Sequence, residues 1–321
     1  MKQRMVFLRL FGSRRARVAF NIVSGFVAVS VGLLTARHFI QNGWPLAHAN
    51  VFGVLAAGAL FLSAYAFKAW GWQRLFRHDQ RPGTLALAAA GGAATVTGLA
   101  LPGRADEVVR ISVVRRFPGK HVGIGSICMS LFLLGLIDNA ALVPLASVAA
   151  GVAAPTNLVR AGMIVIAAAG VLAAAFVVAL PRLAHGRWVG RFRLVLWLRE
   201  HTATPGDAAR AWGLVAVSWV LRALAVFILL DALAIGATIP LALGFLCASA
   251  AAAALPVAPA GGVAQAGAGA ALLVSAGIHG TQAAAFAVAA QGMVVLAGAA
   301  ILVLTTSMHV ARSRWPLVAA R

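Results

Sequence analysis

The feature that most limits how this chain can fold is a series of long apolar runs separated by short basic segments. The runs lie at about 18–36, 49–67, 84–101, 122–146, 158–180, 211–232, 238–256, 264–279 and 281–306. Several approach the ~20 apolar residues that a helix needs to cross a bilayer. Only 11% of the 321 residues are charged, against about a quarter in soluble domains. The sequence therefore predicts an all-α, polytopic membrane protein that forms one domain over residues 1–321.

The net charge of +20 is concentrated in alternate connections between the runs. Basic residues cluster in the N-terminus (1–17), in 68–81, in 104–120, in the connection 182–210 and after 311. This is the positive-inside pattern of membrane proteins, and such clusters also attract anionic lipid headgroups. We therefore expect a multi-pass protein of the cell inner membrane with both termini in the cytoplasm, and no nucleic-acid partner.

Two regions do not fit a simple count of crossings. If 84–101 crossed the bilayer, the basic cluster that follows it would lie outside, against the positive-inside rule. A re-entrant segment broken near Gly91 and Gly92 removes the conflict, as does a pair of short packed helices at the inner interface. The region 238–279 is either two thin spans or a re-entrant hairpin from the outside. About six to eight spans follow, and two broken segments in opposite halves indicate an inverted-repeat transporter.

The stretch "LPGRADEVVRISVVRRF" combines acids and bases directly after an apolar run. Asp106 and Glu107 suit the first turn of a helix that begins after Pro102. Asp106 and Arg110 are four residues apart, and Glu107 is three residues from both Arg104 and Arg110, so all of these can pair along one side of that helix. The cluster is either a capped interfacial helix with surface ion pairs or an ionic site at a cavity mouth, where arginines could bind a phosphate.

Asp138 and Arg222 lie inside apolar runs, where a charge is costly and normally faces the bundle interior with a partner. Their predicted depths allow a direct Asp138–Arg222 pair, either on a transport path or as a purely structural contact. Asp231 is expected at the outer surface. The connection 182–210 mixes arginines with aromatic residues and suits a helix in the inner headgroup layer or one docked on the bundle.

No motif points to a cofactor or to catalysis. The eight histidines are scattered without metal-ligand spacing, and no nucleotide-binding fingerprint is present. Ser126 and Ser130 have no histidine at similar depth to act as a base. Cys128 and Cys247 are read as small hydrophobic residues. We expect no metal, no nucleotide and no organic cofactor, and the sequence does not favour an enzyme.

Two segments resemble a known family. "LPGRADEVVRISVVRR" resembles the P-x-R-x-G-E-x-x-R segment of the lysylphosphatidylglycerol synthase transmembrane (flippase-like) family, and "LPVAPAGGVAQAGAGALL" resembles its P-x-x-P-G-G-x-G-x-x-E segment. The resemblance extends over about 18–306. Asp106 stands where the family has glycine, Leu134 and Gly135 replace a Glu-Arg pair, and the distal segment lacks its acid. The chain looks like a stand-alone member without the aminoacyl-transfer domain, so it should not synthesise lysyl-lipid.

The resemblance implies a flippase-like domain with re-entrant helices that moves a phospholipid, hopanoid or glycolipid between leaflets. The residues expected to bind or gate the headgroup are Arg104, Glu107, Arg110, Asp138 and Arg222. The residues expected to break the re-entrant segments are Pro102, Gly103, Pro259, Gly261 and Gly262. The expected partners are membrane lipids with an anionic or amphipathic headgroup, with a homo-oligomer or lipid-synthesis enzymes as further possibilities. The alternatives are an accessory scaffold of a lipid-synthesis pathway and a membrane-embedded lipid-modifying enzyme.

Overall fold

A computed structural model of the chain describes residues 49–100, 105–117, 122–153, 156–184, 204–254 and 261–318, together with isolated positions between 30 and 46. Within these residues the chain is all-α. In chain order the α-helices are α1 (Val51–Arg74), α2 (Thr84–Ala100), α3 (Ala105–Arg116), α4 (Ile124–Val148), α5 (Asn157–Ala184), α6 (Pro205–Ala232), α7 (Ile239–Ala254), α8 (Gly261–Ser275) and α9 (Gly280–Val318). A short 3₁₀ turn (His78–Gln80) follows α1, and a π-helical turn (Ala149–Ala153) extends α4.

Local sequence signals set several helix ends. The Asn50 side chain caps α1 by accepting hydrogen bonds from the N–H groups of Phe52 and Gly53. Thr204 caps α6 in the same way by accepting from the Asp207 N–H, and Pro205 occupies the first turn, where its missing N–H costs nothing. Gly236 follows α6 with φ +97°, a left-handed conformation that reverses the chain and that other residues adopt with difficulty.

Five of the described helices are long and apolar enough to cross a membrane: α1, α4, α5, α6 and α9. The prediction of a helical membrane protein is confirmed. Most of the first predicted run, 18–36, and the basic segments 1–17 and 185–203 lie outside the described residues.

The long helices run antiparallel between two ends of the bundle. At one end Arg81 pairs with Asp207 at 2.8 Å, and Ser126 donates a hydrogen bond to Gln80. This end, here called the basic face, includes Arg74, Arg77, Arg81, Arg115, Arg116 and Arg210. At the other end, here called the far face, the Asn50 N–H donates to the Ala232 carbonyl. Asp231 is exposed at the far face.

The helices α2 and α3 form a first hairpin that starts and ends at the basic face and packs against α9. The predicted break near Gly91 and Gly92 is wrong, because α2 is a continuous helix through both glycines as far as Ala100. The lack of a side chain at Gly92 serves helix packing instead. A Cβ there would collide with the Gly298 carbonyl oxygen, so the glycine lets α2 and α9 approach closely.

The helices α7 and α8 form a second hairpin that starts and ends at the far face. Each is about 24 Å long or shorter, less than the ~30 Å hydrocarbon core. The Ser249 hydroxyl joins the two arms by donating to the Gln265 carbonyl. The hairpin geometry fits the re-entrant alternative for 238–279, and the two hairpins enter the bundle from opposite ends.

Candidate functional site

The arms of the two hairpins border one cavity inside the bundle. The cavity has a volume of about 500 Å³, within the range of ~300–1,000 Å³ that is common for small-molecule sites. Gly98 and Asp106 border it from the first hairpin, and Ala253 and Gly262 border it from the second. Gln291 of α9 also borders it, about 17 Å along the helix from Gly280, so the cavity lies near the middle of that span.

The cavity is lined by charged side chains that an apolar bundle would otherwise exclude. Its described ionisable lining, apart from Tyr65, comprises Lys68, Asp106, Glu107, Arg110, Asp138 and Arg222. A charge at this depth is costly unless it is paired or reaches water, so such residues normally mark a functional path. Four of the five residues predicted to bind or gate a headgroup thus meet at one place; Arg104 lies outside the described residues.

The closest ion pair joins α1 to α4. The Lys68 Nζ lies 2.6 Å from the Asp138 Oδ2, and both side chains are about one-fifth exposed, at 22% and 21%. The other carboxylate oxygen, Oδ1, accepts a hydrogen bond from the Trp219 indole N–H of α6 at 3.2 Å. Asp138 therefore holds three helices together through one carboxylate.

Lys68 reaches Asp138 because its side chain runs into the bundle instead of back to the basic face. One turn nearer that face, the Trp72 indole N–H donates to the Ser130 hydroxyl and fixes the register of α1 against α4. Along α1, Lys68 lies about 6 Å from Trp72, whereas along α4, Asp138 lies about 12 Å from Ser130. Helical side chains lean toward the helix N-terminus, which in α1 is the far face, and the long lysine chain spans the difference.

The predicted direct pair between Asp138 and Arg222 is wrong. The Arg222 guanidinium instead lies between two aromatic rings, with its Cζ 5.6 Å from the Tyr65 ring centroid and 5.1 Å from the Trp219 ring centroid. A guanidinium is attracted to the negative faces of such rings. Within the described part of the chain no carboxylate pairs with Arg222, and the two oxygens of Asp138 contact Lys68 and Trp219 instead.

Tyr65 connects this aromatic site to the first hairpin and to α9. Its hydroxyl lies 2.7 Å from the Thr95 hydroxyl oxygen of α2 and 3.3 Å from the Val294 carbonyl oxygen of α9. The Thr95 hydroxyl in turn can donate to the Gly91 carbonyl. A shift of the first hairpin would therefore also move the Tyr65 ring, which contacts the Arg222 guanidinium.

Of the pairs predicted within the ionic cluster, the one between Asp106 and Arg110 is confirmed. The Arg110 guanidinium lies 3.4 Å from the Asp106 carboxylate one turn earlier in α3. The predicted re-entrant breaks at Pro102, Gly103 and Pro259 lie outside the described residues, between the arms of the two hairpins. Gly261 begins α8, and Gly262 borders the cavity.

Three residues of the site were missed by the sequence interpretation: Tyr65, Lys68 and Trp219. Lys68 was counted with the basic connection 68–81, although it lies six residues before the end of α1. A signal was present, because Tyr65, Lys68 and Trp72 follow the three- and four-residue spacing of one helix face. Trp219 likewise lies three residues before Arg222 and shares its face.

The candidate nucleophiles have other contacts. The Ser130 hydroxyl donates to the Ile127 carbonyl, and the Ser126 hydroxyl donates to Gln80 at the basic face. Neither hydroxyl forms a hydrogen bond with a basic side chain among the described residues. Among the same residues no group of three or more His, Cys, Asp and Glu side chains is arranged to hold a metal ion.

Comparisons with protein-family models, with curated proteins and with solved structures gave no match for this chain. The family resemblance of the two sequence segments therefore remains a prediction.

Proposed function

We propose that this protein moves a lipid with an anionic or amphipathic headgroup between the two leaflets of a membrane. The observation that carries the proposal is the charged cavity at mid-depth, bordered by the arms of two hairpins that enter from opposite ends of the bundle. A headgroup that crosses a bilayer must be shielded from hydrocarbon, because burying an unpaired charge or polar group costs several kcal/mol or more. Polar side chains at that depth make the contacts with the headgroup that water makes outside the membrane.

The arrangement of the hairpins supports movement as well as binding. Short helices that end inside a bundle leave backbone groups near a polar cavity, and pairs of them in opposite orientation are typical of alternating-access transporters. The first hairpin contacts α9 through Gly92 and contacts α1 through the Tyr65 and Thr95 hydroxyls. Its position is thus tied to the residues that line the cavity.

We propose in addition that the basic face is cytoplasmic and that the membrane is the bacterial inner membrane. The described arginines at helix ends lie mainly at the basic face, whereas Arg160 lies at the far face beside the exposed ends of α4 and α5. An excess of arginine on one side favours the cytoplasmic side by the positive-inside rule. Both termini would then be cytoplasmic, if the undescribed run 18–36 crosses once.

The test is reconstitution of the purified protein into liposomes that contain fluorescent lipids with different headgroups. A membrane-impermeant quencher then reports the fraction of each lipid that becomes accessible with time. We expect faster exchange of at least one phospholipid or glycolipid than in empty vesicles, and a strong loss of this exchange in Asp138→Asn. The matched control is Asp231→Asn, which changes an exposed aspartate at the far face.

A result in which no lipid moves faster than in empty vesicles would contradict the proposal. So would equal rates for wild type and Asp138→Asn, since an accessory scaffold needs no intact charge pair inside its cavity. Hydrolysis or modification of the lipid during the assay would instead support the alternative of a lipid-modifying enzyme.

A further inference from the structure

We infer that Arg222 is the receptor of the central cavity for a phosphate diester, the group that links the glycerol of a phospholipid to its headgroup. This inference rests on the proposed function and names the chemistry of its substrate. It is drawn from the difference between Arg222 and the other cations of the cavity, which have carboxylate partners.

Arg222 differs from Lys68 and Arg110 of the cavity lining in having no carboxylate partner among the described residues. Lys68 is neutralised by Asp138 at 2.6 Å, and Arg110 is paired with Asp106. Arg222 has no carboxylate partner among the described residues, and its charge repels that of Lys68. An anionic guest would supply the partner that Arg222 lacks, and a phosphate diester carries one negative charge at neutral pH.

The two aromatic rings hold the guanidinium in a defined place but do not use its hydrogen-bond donors. Contacts to ring faces engage the flat surface of the group, while its N–H donors lie in the plane at its edges. These donors have no hydrogen-bond acceptor in the described part of the chain. Two parallel N–H donors match two phosphate oxygens, which makes arginine better suited than lysine to this contact.

Tyr65 and Trp219 are positioning residues in this scheme. Tyr65 is fixed by its hydroxyl contacts to Thr95 and Val294, and Trp219 is fixed by its hydrogen bond to Asp138. Both rings therefore keep their places before a ligand arrives, so little side-chain freedom remains to be lost on binding.

The experiment measures binding to purified protein in detergent, separately from any movement of lipid. The probes are dihexanoyl phosphatidylglycerol and dihexanoyl phosphatidylethanolamine, which contain the diester, dihexanoylglycerol, which lacks it, and inorganic phosphate. The variants are Arg222→Gln and Arg222→Lys. The control is Arg160→Gln, an exposed arginine at the far face.

We expect Arg222→Gln to weaken binding of the two diesters about 10- to 100-fold, the loss of a charge-assisted hydrogen-bonded contact. Binding of dihexanoylglycerol should not change, and the control should bind all probes as wild type does. Arg222→Lys keeps the charge but not the paired donors or the ring contacts, and should bind the diesters more weakly than wild type does. If Arg222→Gln does not fold, this lysine variant decides the question.

Equal diester affinity in wild type and a folded Arg222 variant would overturn the inference, as would wild-type protein that binds dihexanoylglycerol as tightly as the diesters. Inorganic phosphate that displaces the lipids at similar concentration supports the site, with free phosphate as its ligand. If the diesters bind through Arg222 but no lipid moves in liposomes, the proposed transport fails and the site stands. If lipid moves and Arg222 variants bind as wild type does, the site fails and the transport stands.

Discussion

The strongest energetic prediction concerns the ion pair between Lys68 and Asp138. The Nζ–Oδ2 distance is 2.6 Å, for which Coulomb's law gives about 1.6 kcal/mol at the dielectric constant of water and about 6 kcal/mol at an effective value of ~20. Both side chains face a cavity and are about one-fifth exposed. Desolvation offsets much of the attraction, so we expect a coupling energy of about 2 kcal/mol.

Single changes should cost more than the coupling alone. Asp138→Asn leaves the Lys68 ammonium inside the bundle near Arg222 and weakens the acceptor for Trp219, so the free energy of unfolding should fall by about 2–4 kcal/mol. Lys68→Met leaves the carboxylate with the Trp219 N–H as its described partner, and should cost about 1–3 kcal/mol. The double variant should lose about 2 kcal/mol less than the sum of the two.

The assay is a double-mutant cycle on unfolding of the purified protein in mixed micelles with increasing sodium dodecyl sulfate, followed by far-ultraviolet circular dichroism. The control cycle combines Lys68→Met with Asp207→Asn, since Asp207 pairs with Arg81 at the basic face. The control pair should be additive within about 0.5 kcal/mol. If the Lys68–Asp138 cycle were equally additive, the ion pair would contribute no coupling energy to the folded protein, and the predicted value would be refuted.

Three further predictions test packing, the basic face and orientation. Gly92→Ala places a Cβ against a backbone carbonyl of α9 and should lower the free energy of unfolding by about 1–3 kcal/mol. The control Gly213→Ala adds a Cβ in open space and should leave the free energy of unfolding unchanged or raise it by up to about 1 kcal/mol. The same unfolding titration compares the two variants. Asp207→Asn alone should cost about 1 kcal/mol and less in high salt, measured by thermal unfolding at two salt concentrations. In a cysteine-free background, a membrane-impermeant maleimide should label Asp231→Cys in intact cells but Arg116→Cys only after permeabilisation; the reverse pattern would contradict a cytoplasmic basic face.

The features of the site that depend on local spacing could be predicted from the sequence. The pair between Asp106 and Arg110 follows from their four-residue separation on one helix. The cost of a charge in hydrocarbon identified Asp138 and Arg222 as interior residues, and both line the cavity. The start of α8 at Gly261 agrees with the Pro- and Gly-rich stretch that precedes it.

Contacts between distant segments could not be predicted from local spacing. Gly91 and Gly92 suggested a break, because a glycine pair weakens a helix, but the helix is kept by close packing of α2 on α9. Lys68 was assigned to a surface connection, because its depth depends on the direction in which its side chain leaves α1.

The sequence alone determined that this chain is a helical membrane protein with charges buried in its spans, since apolar length and the cost of a charge in lipid are properties of segments. Only the tertiary structure decided which charges meet. From the sequence, Asp138 could pair with any cation within reach. In the folded protein the register of α1 against α4 places the Lys68 ammonium beside its carboxylate. Arg222 was thereby left between Tyr65 and Trp219 with its donors facing no described acceptor. The choice between these partners depends on the relative positions of three helices, which no local pattern encodes.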